Sequence, residues 1–123
     1  MLSWIGLAIF CGCASSHPIQ TDPTKTEVGI ASYYAHKFHG RKTASGEVYN
    51  EEFLTAAHRK FPFGTRVRVT NLSNGKHVTL KINDRGPFVD GRIIDVSYRA
   101  ARDLDFLKEG LVKVRVEILQ TVH

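Results

Sequence analysis

The sequence predicts a mainly β domain, a small barrel that closes on its own edges, and three observations predict it. Five segments rich in β-branched and aromatic residues follow one another from residue 28 onward, with partial alternation of apolar and polar positions. An Asn-Gly pair, Asn74-Gly75, separates two of them as a tight turn would. Only one stretch, after Ser97, has the pattern of a helix. A chain of 123 residues holds one compact domain and a short tail, and such a domain buries about two-thirds of its unfolded surface. Five or six short strands with one helix and no internal repeat suit a closed barrel, which leaves no sheet edge unpaired. The pattern does not choose among barrels.

The first thirteen residues, Met1-Leu-Ser-Trp-Ile-Gly-Leu-Ala-Ile-Phe-Cys-Gly-Cys13, contain an apolar run from Trp4 to Cys11. That is far short of the ~20 residues a spanning helix needs. It reads as the apolar region of a secretory leader covering residues 1–12. The competing reading, a buried apolar helix, lacks any amphipathic pattern. Gly12 before Cys13 is a small residue at a lipoprotein processing site, so cleavage would free the thiol and amine of Cys13 for acylation. Two chains on the thiol and one on the amine exceed what stable membrane anchoring requires. Cys11 would leave with the leader, and no disulfide is expected. From Ala14 to Glu27, Pro18 and Pro23 among Ser, Thr and polar residues give a linker of roughly 45 Å at full extension.

Strands are expected at Val28 to Tyr34, Arg66 to Leu72, His77 to Ile82, Arg92 to Val96 and Leu111 to Leu119. The clearest alternates Val112, Val114, Val116 and Ile118 with Lys113, Arg115 and Glu117, one face buried and the other wet. Ser97 is placed to cap a short helix running to about Phe106, with Ala100, Ala101 and Leu104 on its apolar side and Gly110 at its exit.

The net charge of +5 suits any anionic partner. Nucleic acid is disfavoured, because Lys37, Arg41, Arg59 and Lys60 are scattered and no groove-reading motif accompanies them. His36 and His39 frame Lys37-Phe38, but two histidines on a loop fall short of the three or four convergent ligands of a zinc site, so no metal and no cofactor is expected.

Three polar segments interrupt the strands: Phe38-His-Gly-Arg-Lys-Thr-Ala-Ser-Gly-Glu47, Thr55-Ala-Ala-His58 and Asn83-Asp-Arg-Gly-Pro87. Their small residues let a polymer approach the backbone, as a groove for an extended substrate requires. Cleaving a glycosidic bond needs a proton donor for the leaving oxygen, and Glu47, Asp84 and Asp95 are candidates, with His58 able to orient one or shuttle a proton. Each has a plainer alternative: Glu47 as a solvated turn carboxylate, Asp84 as a turn former, Asp95 as a buried cap or barrel brace, His58 as a packed, hydrogen-bonded histidine.

Eight ordered segments carry a resemblance: Gly29-Ile-Ala-Ser-Tyr-Tyr34, Phe38-His-Gly-Arg41, Thr43-Ala-Ser-Gly-Glu47, Leu54-Thr-Ala-Ala-His-Arg59, Phe63-Gly-Thr65, Arg66-Val-Arg-Val-Thr-Asn-Leu72, Ile82-Asn-Asp-Arg-Gly-Pro-Phe88 and Gly91-Arg-Ile-Ile-Asp95. From about Val28 to Leu119 the chain closely resembles the rare lipoprotein A family. That resemblance implies a six-stranded double-psi β-barrel with one short helix, similar to expansins, family 45 endoglucanases and the membrane-bound lytic transglycosylase A. It implies an endolytic peptidoglycan lytic transglycosylase, a carbon–oxygen lyase that cuts between N-acetylmuramic acid and N-acetylglucosamine, prefers peptide-denuded strands and leaves 1,6-anhydro ends. The family residues tied to activity match Glu47, His58 and Asp84, and Asp95 matches a second aspartate of the wider group. Tyr33, Tyr34, Phe38, Arg85 and Phe88 are then expected along the substrate groove.

The expected organisation is a leader at 1–12, lipidated Cys13 with a linker to residue 27, and the barrel at 28–120, with none of the strand-binding SPOR domain that many family members carry. The expected setting is the bacterial envelope, as a monomer anchored by lipid to the outer rather than the inner membrane and facing the periplasm. The expected partner is the glycan strand. The rival readings are a non-catalytic, expansin-like glycan-binding module and a structural envelope lipoprotein. With Asp84 as the acid, Arg85 should point to the opposite face by strand alternation.

Overall fold

A computed structural model describes residues 25–120; the leader, Cys13 and nearly all of the linker lie outside the described residues. Six strands form a closed barrel: β1 (Thr26–Tyr33), β2 (Thr55–Ala57), β3 (Arg66–Asn71), β4 (His77–Asp84), β5 (Arg92–Val96) and β6 (Val112–Gln120). Around the barrel they run β1-β5-β2-β4-β3-β6, with β6 returning to β1. The β1–β5 and β2–β4 pairs are parallel and the other four antiparallel, so every strand has two neighbours and no edge is left open.

Strand alternation builds the core. Val112, Val114, Val116 and Ile118 turn inward from β6 and meet Val67 and Val69 of β3, Leu80 and Ile82 of β4, Ile94 and Val96 of β5, and Ala31 and Ala56. The helix α1 (Tyr98–Asp103) adds Ala100 and Ala101, and the turn after it adds Leu104 and Phe106. No helix among the described residues is long and apolar enough to cross a membrane.

The structure departs from the sequence expectation at four places. β1 starts at Thr26, two residues early, because Thr26 and Glu27 pair with Glu117 and Val116. The β3–β4 connection is wider than a two-residue turn: only Gly75 takes a positive φ, +79°, while Asn74 donates its side-chain amide to the Leu104 carbonyl. Thr55–Ala57, expected as a loop, is β2, and β4 runs on to Asp84 because it pairs with that short strand. The helix stops at Asp103, short of Phe106. Asp105 adopts φ +61° while the Asp105 and Phe106 amides donate to the Arg102 and Ala101 carbonyls, a Schellman end that turns Phe106 into the core.

Ser97 caps α1 as expected, its Oγ accepting from the Ala100 amide at 3.2 Å. Ser97→Ala leaves that amide unsatisfied in a fully buried site and is expected to cost about 1 kcal/mol. Urea unfolding measures it as a lower midpoint at constant slope.

Candidate active site

Parallel and antiparallel pairing on the two sides of β2 sets the site. Ala57 pairs with Asp84 of β4 on one side and Asp95 of β5 on the other, while Ser32 of β1 pairs with Asp95 beyond it. Ser32, Asp95, Ala57 and Asp84 therefore form one row across four adjacent strands. The two aspartates are two strand spacings apart at the backbone, roughly 9.5 Å, with only a methyl group between them. Both line a cleft of about 530 Å³. Tyr33, Tyr34 and Phe38 supply aromatic wall, and Arg41, Lys42 and Arg92 supply positive charge.

The two carboxylates live in different surroundings. Asp84 Oδ1 accepts from the amides of Ala44 at 2.8 Å and Arg85 at 2.9 Å, and Oδ2 accepts from the Tyr34 hydroxyl at 2.5 Å. Asp95 accepts from Ser32 Oγ. Burial pushes its proton affinity above the usual carboxylate range; the Ser32 hydrogen bond and Arg92 oppose that shift, and the charge of Asp84 adds to it.

The structure separates the other expected residues. Glu47 points away from the cleft, half exposed, with Lys81 Nζ 2.8 Å from Oε2; that ammonium holds it below the usual carboxylate range. The loop from Lys42 to Val48 still serves the site, because the Lys42–Val48 bridge and the Ser45 amide on the Asn83 carbonyl bring the Ala44 amide onto Asp84. His58 is buried, its ring stacked 3.5 Å from Phe61 and turned toward a second cleft with Glu27, Arg59 and Lys60. Its Nδ1 accepts from the Lys60 and Phe61 amides, so Nε2 carries the proton and donates to Glu27 at 2.9 Å. Burial lowers its proton affinity. It reaches Asp84 only through the backbone, its amide donating to the Asp84 carbonyl.

Arg85 turns from the Asp84 carboxylate as alternation requires. Its guanidinium donates to the Phe61 carbonyl at 2.9 Å and lies over the Phe63 ring at 4.0 Å, although the residue also borders the cleft. Tyr33 is mostly a packing residue, donating to the Leu107 carbonyl and packed edge-on against Phe106. Phe88 is 78% exposed and lies outside the cleft lining. Sequence reasoning missed Tyr49, which is 2% exposed and stacked on Tyr34 with ring centroids 4.4 Å apart, and Ser32. His36 and His39 each spend Nδ1 on Glu51, and no group able to hold a metal occurs among the described residues.

A family model described as "Lytic transglycolase" matches residues 26–116, which contain the whole row of aspartates and their donors. The chain belongs to the lytic transglycolase family. Within the family it is 56% identical over 92 residues to a probable endolytic peptidoglycan transglycosylase RlpA of Synechocystis sp., a match covering 75% of this chain and 29% of that protein. The endolytic peptidoglycan transglycosylase RlpA of Pasteurella multocida is also 56% identical over 92 residues, covering 75% and 31%. The chain thus spans about a third of the length of these curated relatives. Among solved structures it is similar to a Streptomyces papain inhibitor, with TM-score 0.63 and 22% identity over 77% of this chain and 94% of that one. An expansin of Clavibacter michiganensis matches at TM-score 0.60 and 19% identity, over 80% and 52%. A variant of that expansin, in complex with cellohexaose, matches at 0.59 and 18%, over 77% and 50%. These likenesses establish the fold, the double-psi β-barrel, which this family shares with proteins of other activities.

Proposed function

We propose that the barrel is the catalytic domain of an endolytic peptidoglycan lytic transglycosylase, cutting between N-acetylmuramic acid and N-acetylglucosamine in strands stripped of stem peptides. The observation that carries this reading is the pair Asp84 and Asp95, in unlike environments on either side of Ala57, opening into one cleft. The names of the relatives support it.

Two carboxyl groups in unlike surroundings divide acid and base work between them. Sequence reasoning put the proton on Asp84; the surroundings favour the reverse assignment. Asp95, whose proton affinity burial raises, gives a proton to the bridging oxygen as the C1–O bond breaks. Asp84, held as an acceptor by three donors, takes the proton of the muramoyl C6 hydroxyl as that oxygen closes onto C1. One proton enters and one leaves, no water is consumed, and the product carries a 1,6-anhydro ring. Glu47 and His58 hold the loop and strand that present Asp84.

The aromatic wall of Tyr34 and Phe38 favours a second reading, a glycan-binding module without catalysis, in line with the cellohexaose-bound expansin. In either reading the domain works as a monomer. It is tethered through acylated Cys13 to the periplasmic face of the outer membrane, with the linker as its reach to the wall.

Amidase-treated sacculi incubated with the purified domain distinguish these outcomes when the released ends are weighed by mass spectrometry. Anhydromuramoyl ends are expected, with loss of about 10²–10⁴-fold in Asp84→Asn. Reducing ends would make the protein a hydrolase, and binding without release would leave only the module.

A further inference from the structure

We infer that Tyr34 is a positioning residue for this reaction, its phenol holding Asp84 Oδ2 as the proton acceptor aimed at the substrate. The inference rests on the reading of function above.

Asp84 has two oxygens with different duties. Oδ1 is occupied by two backbone amides, whereas Tyr34 is the one residue donating to Oδ2 among the described residues. A proton arriving from substrate therefore lands on Oδ2, and the direction of that oxygen depends on the phenol 2.5 Å away. Tyr34 is built to hold that direction. Its amide donates to the Val96 carbonyl at 3.1 Å, its ring stacks on Tyr49 at an interplanar angle of 15°, and Phe38 packs edge-on against it. Tyr49 is itself fixed, its hydroxyl accepting from the Tyr98 amide at 3.1 Å. Burial and the neighbouring carboxylate keep the Tyr34 phenol protonated far above neutral pH, so it remains a donor throughout.

A phenol donating to a carboxylate favours the ionised acceptor, because such charge-assisted bonds are roughly twice as strong as neutral ones. The other charged groups at this cleft are Asp95 and Arg92 from β5, Arg41 and Lys42 from the loop and Arg85 after β4, and all remain in a Tyr34→Phe variant.

Tyr34→Phe keeps the ring stack and removes only the donor. It is expected to lower kcat by about 10–100-fold with KM within about threefold, and to move the acid limb of the pH–rate profile upward. Site-specific difluorotyrosine at position 34, a stronger donor of almost the same shape, should move that limb downward and keeps the test open where Tyr34→Phe fails to fold. Absence of anhydromuramoyl ends with the unsubstituted domain overturns the enzymatic reading. An acid limb of the pH–rate profile unmoved by either replacement overturns the role of Tyr34, whatever the turnover.

Discussion

Asp95→Asn is expected to abolish release of anhydromuramoyl ends, by about 10²–10⁴-fold, and to raise the melting temperature at pH 7. Asparagine keeps the shape and still accepts from Ser32, but it has no proton to give. The stability gain follows from linkage. Burial raises the folded-state proton affinity of Asp95 above its unfolded value near 3.8, so ionising it at neutral pH works against folding. Its stabilising contribution is full below that unfolded value and is lost as pH rises through the folded one. Asp95→Asn therefore gains stability at pH 7 and gains none at pH 3, as calorimetry at the two pH values can measure. A variant less stable at both would make Asp95 a brace of the barrel. A functional group that destabilises its own fold is what a site built for reactivity produces.

His58→Ala should cost on the order of 2–4 kcal/mol and most of the activity, although the ring touches nothing in the cleft. The loss leaves the Lys60 and Phe61 amides and the Glu27 carboxylate without their partner and opens the space against Phe61. That turn supplies the His58 and Phe61 carbonyls that hold Arg85, and the His58 amide that holds the Asp84 carbonyl. Its collapse displaces Asp84. His58→Asn restores an acceptor where Nδ1 sits, and is expected to recover most of the stability and turnover. A histidine acting as proton shuttle would not be rescued in this way. The pH dependence separates the two further: burial holds His58 below its ordinary 6.5, so its contribution is present above pH 6.5 and lost as pH falls toward the folded value. His58→Asn lacks that acid-side loss.

Much of the barrel was legible because its long strands alternate over a buried face, as β6 does from Val112 to Ile118. β2 was not, since Thr55-Ala56-Ala57 is three residues long, two of them alanine, with little strand preference of their own. It exists because β4 and β5 flank it. The site suffered from the same gap. Asp84 was recognised from its Asn-Asp-Arg-Gly-Pro setting, but its partnership with Asp95 is a matter of register across β2, where a bulge between Ala56 and Ala57 shifts the pairing. Glu47 reads like a catalytic carboxylate because the loop it belongs to does serve Asp84, through the Ala44 amide. Nothing local in Val48-Tyr49-Asn50 marks Tyr49 as buried; a sharper signal was the run of aromatic residues at Tyr33-Tyr34, which needs a partner ring.

The closure of the barrel through its first and last strands also sets when the site can exist. β1 has no partner until β5 and β6 have been made, and the bonds that define the cleft join residues 50 and 63 positions apart. Such distant pairings delay folding, because chain entropy is spent before the contacts repay it. No N-terminal piece that ends before β5 can bring both aspartates together with Tyr34 and Ser32. The cleft is therefore a late product of the chain, absent until its first strand has met its fifth.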